Sequence, residues 1–440
     1  MEVECDRPVR KGEIAMATIH SPQTAQAMGP EQRPRTLAEL GIRHAVLDDL
    51  ALKILYLSGP MSTRDLSRHI KLGSETTNEL FTRMRSDLFC QVTGMNGNVA
   101  EIAITSQGRA RALDLLSQNQ YAAAAPVSLE SYVSQVRRQS VRNLGVYEAD
   151  IERAFAHLVM DARVLEQLGA ALNSGAAIFL HGPSGVGKTA IAETISKVLA
   201  NEEVWIPYAV EVDGQIIAVF DAMVHQVAQL QSAEVHDERW VRCRRPSVMV
   251  GGELTVEMLD LQLNAGAKFY VGPVQMKANN GVLIIDDFGR QRSRPEELLN
   301  RWIVPLDRGI DFLTLAGGRK IEIPFEMLVV FATNMDPADL VDSAFLRRIQ
   351  TKIQVEAASD EQFSEIFRRV ARARGLKVDS ALLIEVIQDI RGRFHQELSG
   401  CQPRDLINQI CWMARYRKRE PCLDSISLRK AIEAYFLRRA

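Results

Sequence analysis

This sequence of 440 residues contains few cysteines and few aromatic residues, and its net charge is close to zero. The six cysteines are scattered without a CxxC pair, which excludes a disulfide framework and a zinc knuckle of paired cysteines. Lys+Arg 53 against Asp+Glu 55 gives a formal net charge of −2, so no global field favours nucleic acid or a basic partner. Aromatic residues make up only 6%, but the 46% hydrophobic content can build more than one core.

Long apolar runs are also missing. Residues 281–285 form one of the longest runs, far short of the roughly 20 residues that a membrane span needs. Residues 1–23 carry acids where a signal peptide needs a basic and then an apolar stretch. We therefore expect a protein of the reducing cytoplasm that is not inserted into a membrane.

The sequence between residues 36 and 120 has its own pattern. It predicts a helix, a short helix capped by Ser62, a third helix capped by Ser74, and a strand over 99–105 followed by a closing helix. This order resembles a winged helix-turn-helix domain, which implies DNA binding. The charge argues otherwise, because nine basic and nine acidic side chains balance across these residues.

The would-be recognition helix after Ser74 carries Glu75 and Glu79, where phosphates or base edges would lie. Docking of a protein is therefore favoured for this domain, with DNA reading as the alternative.

Short apolar runs at 176–180, 282–285 and 328–331 predict buried parallel strands, and helical stretches lie between them. The last residues, from about 357, show helical periodicity without strands. The chain thus divides into a disordered tail (1–35), a winged-helix-like domain (36–120), a partly or wholly helical linker (121–145), an α/β nucleotide-binding domain (146–356) and a helical lid (357–440).

A phosphate-binding loop follows the first of these strands. The segment matches GxxxxGK[ST] in full and precedes a helical run. Its residues are Gly182, Pro183, Ser184, Gly185, Val186, Gly187, Lys188 and Thr189. The glycines allow backbone N–H groups to turn towards phosphate oxygens at a helix N-terminus. Lys188 is expected to reach the β- and γ-phosphates of ATP, and the Thr189 hydroxyl to ligate Mg²⁺.

A second acidic element ends the strand at 282–285. Asp286 is expected to hold Mg²⁺ as a Walker-B acid does. Asp287 stands where a glutamate usually polarises the attacking water, and its side chain is shorter by one methylene. Nucleotide binding is therefore a safer prediction than fast turnover.

Three further segments make residues from about 146 to the C-terminus resemble the AAA+ ATPases. The strand ending in Asn334 looks like the sensor-1 strand, which implies that Asn334 touches the γ-phosphate or orients water. The segment containing Arg347 and Arg348 looks like the arginine-finger segment, with Arg348 the first choice and Arg347 the second. The Pro403-Arg404 start of a lid helix looks like sensor 2, which implies that Arg404 contacts the nucleotide in cis.

The stretch from 251 to 281 is similar to the helix-2 insert of MoxR-like ATPases and magnesium chelatase subunits, in which an inserted hairpin precedes a short helix. A second hairpin is expected over 312–323, before sensor 1. Within the insert, the order of Tyr270, Val271 and Gly272 fits either a translocating pore loop or a packed hairpin.

These patterns together predict a Mg²⁺-dependent ATPase with a parallel sheet between helices. The resemblance to the AAA+ ATPases implies in addition a homo-oligomeric ring, expected to be a hexamer. The favoured activity is remodelling of a protein client or complex. The alternatives are a DNA-associated regulator and a nucleotide-gated scaffold with weak hydrolysis.

Overall fold

The computed structural model describes residue 30 and residues 33–229, 236–340 and 343–436, without the side chains of 343 and 344. The predicted tail, residues 1–35, lies almost wholly outside the described residues. No helix in the described ranges combines the length and the apolar character that crossing a membrane requires.

The first part of the chain forms a helical unit with a small antiparallel sheet in the order β1-β3-β2. Its elements are α1 (His44–Ser58), β1 (Met61–Ser62), α2 (Thr63–Ile70), α3 (Ser74–Ser86), β2 (Cys90–Asn96), β3 (Val99–Ile104) and α4 (Ser106–Gln118). The Ser62 hydroxyl accepts from the N–H of Asp65 and thereby caps α2. Gly73, rather than the predicted Ser74, is the N-cap of α3. The order of the four helices and of the strands between α3 and α4 is the one that the pattern predicted, whereas β1 is an additional strand before α2.

Residues 121–145 do not form an exposed connection. They contain β4 (Val127–Ser128) and α5 (Leu129–Arg138), and Tyr132 and Val136 on α5 are buried. The Gln139 amide donates to Trp205 O at 2.8 Å and to Asn280 Oδ1 at 2.9 Å. The predicted helical character is present, but this segment is packed into the core of the α/β part.

The α/β part is built on a five-stranded sheet in which every pairing is parallel, in the order β10-β13-β16-β5-β17. Its strands are β5 (Ile178–His181), β10 (Ser247–Val250), β13 (Val282–Ile285), β16 (Leu328–Thr333) and β17 (Thr351–Gln354). The flanking helices are α6 (Glu148–Phe155), α7 (Ala162–Ser174), α8 (Lys188–Leu199), α10 (Pro295–Arg308), α11 (Pro337–Leu340) and α12 (Ser343–Leu346). Two apolar clusters, one on each face, bury the central strands.

This strand order determines where the site lies. β5 and β13 both pair with β16, so the carboxyl ends of β5, β16 and β13 follow one another along one edge. Ligands of open parallel sheets bind at such an edge, where neighbouring connections leave in opposite directions.

The part of the sequence between α8 and β13 forms, besides β10, a second β-rich layer. It contains β6 (Glu203–Pro207), β7 (Ala209–Val212), β8 (Gln215–Ala218), β9 (Trp240–Arg244), β11 (Gln262–Leu263), β12 (Tyr270–Val271) and α9 (Val274–Ala278). Most of this inserted structure precedes β10 rather than lying within 251–281. The hairpin expected before sensor 1 is present as β14 (Ile310–Thr314) and β15 (Lys320–Pro324).

The pore-loop interpretation of Tyr270 is wrong. Tyr270 is 3% exposed, lies in β12 beside β8, and its hydroxyl accepts from the N–H of Ala316 at 2.7 Å. A ring held in a core cannot grip a substrate in a channel. The packed-hairpin alternative describes this segment.

The described C-terminal residues form a helical unit with its own core. Its helices are α13 (Asp360–Ala373), α14 (Ser380–Gln388), α15 (Gln402–Tyr416) and α16 (Ser425–Tyr435), and a π-helical turn spans Asp389–Arg393. Ser359 and Gln362 form a capping box at the start of α13. We refer to this unit as the lid.

Candidate functional site

The phosphate-binding loop connects β5 to α8 at the carboxyl edge of the sheet. Gly182, Gly185 and Gly187 have φ angles of 145°, 83° and 102°, a region that other residues rarely adopt. A Cβ on Gly182 would lie 2.0 Å from the carbonyl oxygen of Val355, so close packing as well as backbone conformation requires glycine. Because α8 begins at Lys188, its first amides open onto the loop.

Lys188 is buried at the base of this loop. Its Nζ donates to the carbonyl oxygens of Gly182 at 2.9 Å and Pro183 at 2.7 Å. Burial lowers the pKa of Lys188, and the carboxylates of Asp286 and Asp287 partly offset this by favouring the charged form. The ammonium is therefore held against the loop that would surround the phosphates, beside two acids.

The Thr189 hydroxyl donates to Asp286 Oδ2 at 2.9 Å, across 97 residues of sequence. The other carboxylate oxygen, Oδ1, accepts from the N–H of Asp287 at 3.1 Å. A hydroxyl and a carboxylate in contact at a phosphate loop fit Mg²⁺, which takes few protein ligands and completes its shell with phosphate and water. Within the described ranges no group of three or more His, Cys, Asp or Glu could hold a metal by itself.

Asp287 directly follows the predicted Walker-B acid and has a left-handed backbone, with φ 49°. The Gln291 amide stabilises this turn by donating to the carbonyl oxygens of Asp286 and Asp287 at 3.1 and 3.2 Å. The Asp287 side chain is exposed at the same edge.

Asn334 follows β16, the strand between those that carry the phosphate loop and Asp286. Its Oδ1 is buried without a hydrogen-bond partner. A buried amide oxygen normally has a donor, so this atom would accept a hydrogen bond from a bound water or ligand group. The neighbouring Thr333 hydroxyl is satisfied by Phe288 O at 2.7 Å.

A cavity of about 1270 Å³ lies between the phosphate loop and the lid. Gly185, Val186 and Gly187 line one side, and Arg404 at the start of α15 lines the other. The N–H of Cys401 donates to Gly185 O at 3.2 Å, so the lid touches the loop directly. The Arg404 guanidinium donates to Asp405 Oδ1 at 2.9 Å and is largely exposed.

Ser184 and Pro183 are exposed at the tip of the loop. The structure thus brings the eight loop residues, Asp286 and Asp287 to one edge, with Asn334 at the end of the intervening strand and Arg404 across the cavity.

Arg347 and Arg348 lie elsewhere. They precede β17, whereas the phosphate loop follows the parallel β5, so they occupy the opposite edge of the same sheet. The Arg348 Nε donates to Asp307 Oδ2 at 2.8 Å, and Arg347 is exposed. Neither arginine can reach the phosphate loop of its own chain from there.

Sequence patterns did not identify two cavity residues. His181, the last residue of β5, lines the cavity, and burial lowers its pKa. Arg369 on α13 also lines it and donates to Ala156 O at 2.9 Å, which joins the lid to the segment after α6. Neither residue belongs to a short motif, so only the fold could reveal them.

Comparisons with known proteins give limited similarity. A family described as "Domain of unknown function (DUF8689)" matches residues 359–434, within the lid. Sequence comparison with curated proteins gives no match.

Among solved structures, the chain is similar to the Thermotoga maritima RuvB Holliday junction branch migration motor, with 17% identity over 62% of this chain and 68% of that chain and a TM-score of 0.36. It is also similar to NtrX from Brucella abortus in complex with ADP, with 16% identity over 66% of this chain and 58% of that one and a TM-score of 0.40. These likenesses are too distant to transfer a function to this chain.

Proposed function

We propose that this protein binds Mg·ATP at the loop before α8 and hydrolyses it, as an ATPase of the AAA+ type. The contact between Thr189 and Asp286 beside Lys188 carries the proposal. It joins two distant motifs into the hydroxyl, carboxylate and ammonium set that phosphoryl transfer uses.

Each residue then has a definite task. The loop amides and the Lys188 ammonium hold the phosphates, while Thr189 and Asp286 hold Mg²⁺, which when bound neutralises charge on the phosphate oxygens. Asp287 accepts a proton from the attacking water, and the Asn334 amide oxygen orients that water. Arg404 contacts the nucleotide from the lid and makes closure of the cavity depend on it.

Hydrolysis also requires a second copy of the chain in this proposal. Arg348, or alternatively Arg347, reaches the phosphates of a neighbouring protomer because both lie at the edge away from their own loop. A ring, expected to be a hexamer, satisfies this requirement for every site.

The proposed work is remodelling of a protein client recruited through the N-terminal winged-helix-like unit. Support comes from α3, where Glu79 accepts from the N–H of Leu37 at 2.9 Å and Thr76 donates to Pro34 O at 3.2 Å. Residues 34–37 thus lie against the helix that would read DNA. The burial of Tyr270 removes the pore loop as the means of gripping a client.

Isothermal titration calorimetry with Mg·ATP tests the binding step. Lys188→Ala is expected to abolish the heat of association, because it removes the buried cation at the phosphates. Lys197→Ala, on the exposed side of the same helix, is the matched control and should bind like the wild type. Absence of a heat with the wild type would reject the proposal.

Single-turnover hydrolysis separates the ATPase from the scaffold alternative. The ATPase requires that Asp287→Asn slow the chemical step while Mg·ATP affinity is retained. An unchanged, slow rate in Asp287→Asn would instead favour a nucleotide-gated scaffold.

A further inference from the structure

The C-terminal end of the lid helix α15 carries a surface of exposed aromatic rings and basic side chains. Trp412 is 60% exposed and Tyr416 is 88% exposed, whereas the other three tryptophans are 4% exposed or less. Large aromatic rings are ordinarily buried, since each contributes a large apolar area. Two exposed rings on one helix therefore require an explanation.

The two rings share one face of α15. Residues four apart lie one above the other on a helix, about 6 Å along its axis. Asn408 is one turn earlier on this face, and its Oδ1 accepts from Arg374 Nη2 at 2.8 Å. The Arg374 guanidinium, which is hydrogen-bonded to this neutral amide, thus adds a positive charge beside the rings.

Four more cations surround Tyr416 where the helix ends: Arg415, Arg417, Lys418 and Arg419, all exposed. The chain folds back at this point, since the N–H of Arg419 donates to Ala414 O at 3.0 Å and Lys418 adopts a left-handed φ of 55°. In the sequence from 412 to 420 the one acidic residue is Glu420. Basic residues commonly favour a helix C-terminus through its dipole, but that role needs no exposed aromatic neighbours.

We propose that this Trp412–Arg419 surface binds single-stranded nucleic acid. The rings offer flat apolar faces for successive bases, and the cations are placed for the phosphates that link them. A single strand satisfies both features, whereas a duplex keeps its bases stacked and offers only phosphates to this convex helix end. The surface lies outside the winged-helix-like unit and outside the ATP cavity, so the inference does not depend on the proposed ATPase.

Fluorescence anisotropy with the full chain and a labelled, mixed-sequence single strand of about 20 nucleotides tests this proposal. We expect salt-sensitive binding, with a slope of log K against log salt of about −3 from the four cations at the helix end. Binding should quench tryptophan fluorescence, because Trp412 is the exposed tryptophan.

Trp412→Ala combined with Tyr416→Ala should weaken binding at least roughly tenfold. Trp412→Phe should retain most of the affinity, because it keeps a flat ring. Arg64→Ala and Tyr147→Ala remove an exposed cation and an exposed ring elsewhere and are expected to bind like the wild type. Since the replaced side chains are exposed, thermal unfolding should confirm that each variant folds.

Four results would overturn the proposal. The first two are the absence of binding at low salt, and a double ring variant that binds the single strand as tightly as the wild type does. The third is a duplex that binds as tightly as the single strand whether or not the rings are present. The fourth is a polyglutamate peptide that binds in place of the single strand. The third would indicate contact with phosphates alone, and the fourth an acidic protein partner. Loss of self-association in the double ring variant without nucleic-acid binding would assign the surface to a second copy of the chain.

Discussion

Individual buried polar residues mark where this molecule departs from simple apolar packing. Lys188 and the Asn334 amide oxygen lie at the carboxyl edge of the sheet, where a phosphate and a water would satisfy them. Lys53 is different, because it is 3% exposed in the N-terminal unit, far in sequence from any predicted site residue. Its Nζ donates to Asn119 O at 3.1 Å, at the end of α4. Its burial is therefore a matter of stability.

Burial lowers the pKa of Lys53 to about 8, and Asp49 partly opposes this change. In the unfolded chain the group titrates near 10.5. Between these values the unfolded state binds more protons, so the Lys53 contribution to the free energy of unfolding rises with pH, by up to about 3 kcal/mol.

Replacing Lys53 with Met should remove this pH-dependent contribution while keeping the volume of the side chain. Chemical denaturation at pH 8 and pH 10 gives the free energy of unfolding of wild type and Lys53→Met. The contribution of Lys53 is the difference between the two proteins in how this free energy changes with pH. Lys71→Met, which changes a more exposed lysine of the same unit, is the control. Parallel profiles for wild type and Lys53→Met would contradict the expectation.

At the scale of elements, the lid is joined to the cavity beside the phosphate loop through the first turn of α15. Asp405 there accepts from Arg404 and also from the Tyr435 hydroxyl of α16 at 3.3 Å. Burial raises the pKa of Tyr435, which keeps its hydroxyl protonated as a donor. Two helices therefore determine the orientation of one arginine.

Tyr435→Phe is expected to weaken Mg·ATP binding roughly fivefold in the wild type but to have no effect when Arg404 is already alanine. The reason is that the hydroxyl acts on the nucleotide through Asp405 and Arg404. Its other contact is with Cys401 Sγ at 3.8 Å, whereas Cys401 meets the phosphate loop through its backbone N–H. Calorimetry on the four proteins of this double-mutant cycle provides the measurement. Equal losses in both backgrounds would mean that Tyr435 stabilises the lid generally.

At the scale of the whole molecule, the N-terminal unit is attached to the inserted β layer. Arg43 pairs with Glu211 at 3.3 Å, and the N–H of Gln120 donates to Ala267 O at 2.9 Å. Ala209 and Ile216 of the insert belong to the apolar core of that unit. A client held there would therefore be held close to the α/β part that carries the phosphate loop, while the arginines before β17 remain at the opposite edge of the sheet.

Arg348→Ala should retain Mg·ATP affinity but lose roughly a thousandfold in oligomer-dependent turnover. Asp307→Asn, which removes only the ion-pair partner of Arg348, is the control and should keep its turnover. Steady-state hydrolysis against protein concentration measures both.

Mixing Arg348→Ala with Lys188→Ala gives a sharper version of the same test. One variant keeps an intact phosphate loop and the other an intact arginine, so activity should reappear at their shared interface. If it does not, or if Arg348→Ala alone keeps its turnover, the arginine does not act between protomers.

Local sequence determined the central strands β5, β13 and β16, the phosphate loop and most helices, because short apolar runs and glycine spacing act over a few residues. The edge strands β10 and β17 were missed, since each is only four residues long. β10 alternates exposed and buried residues, and β17 buries only Ile353. The role of Tyr270 was left open by the sequence, because its neighbours in sequence do not reveal which strand it pairs with.

Only the tertiary structure decided which distant residues meet. The junction of Cys401 with Gly185 follows from the packing of the lid against the phosphate loop. The contact between Thr189 and Asp286 and the separation of Arg348 from its own loop follow from the strand order. That order depends on how whole apolar faces pack together, which no short segment encodes by itself.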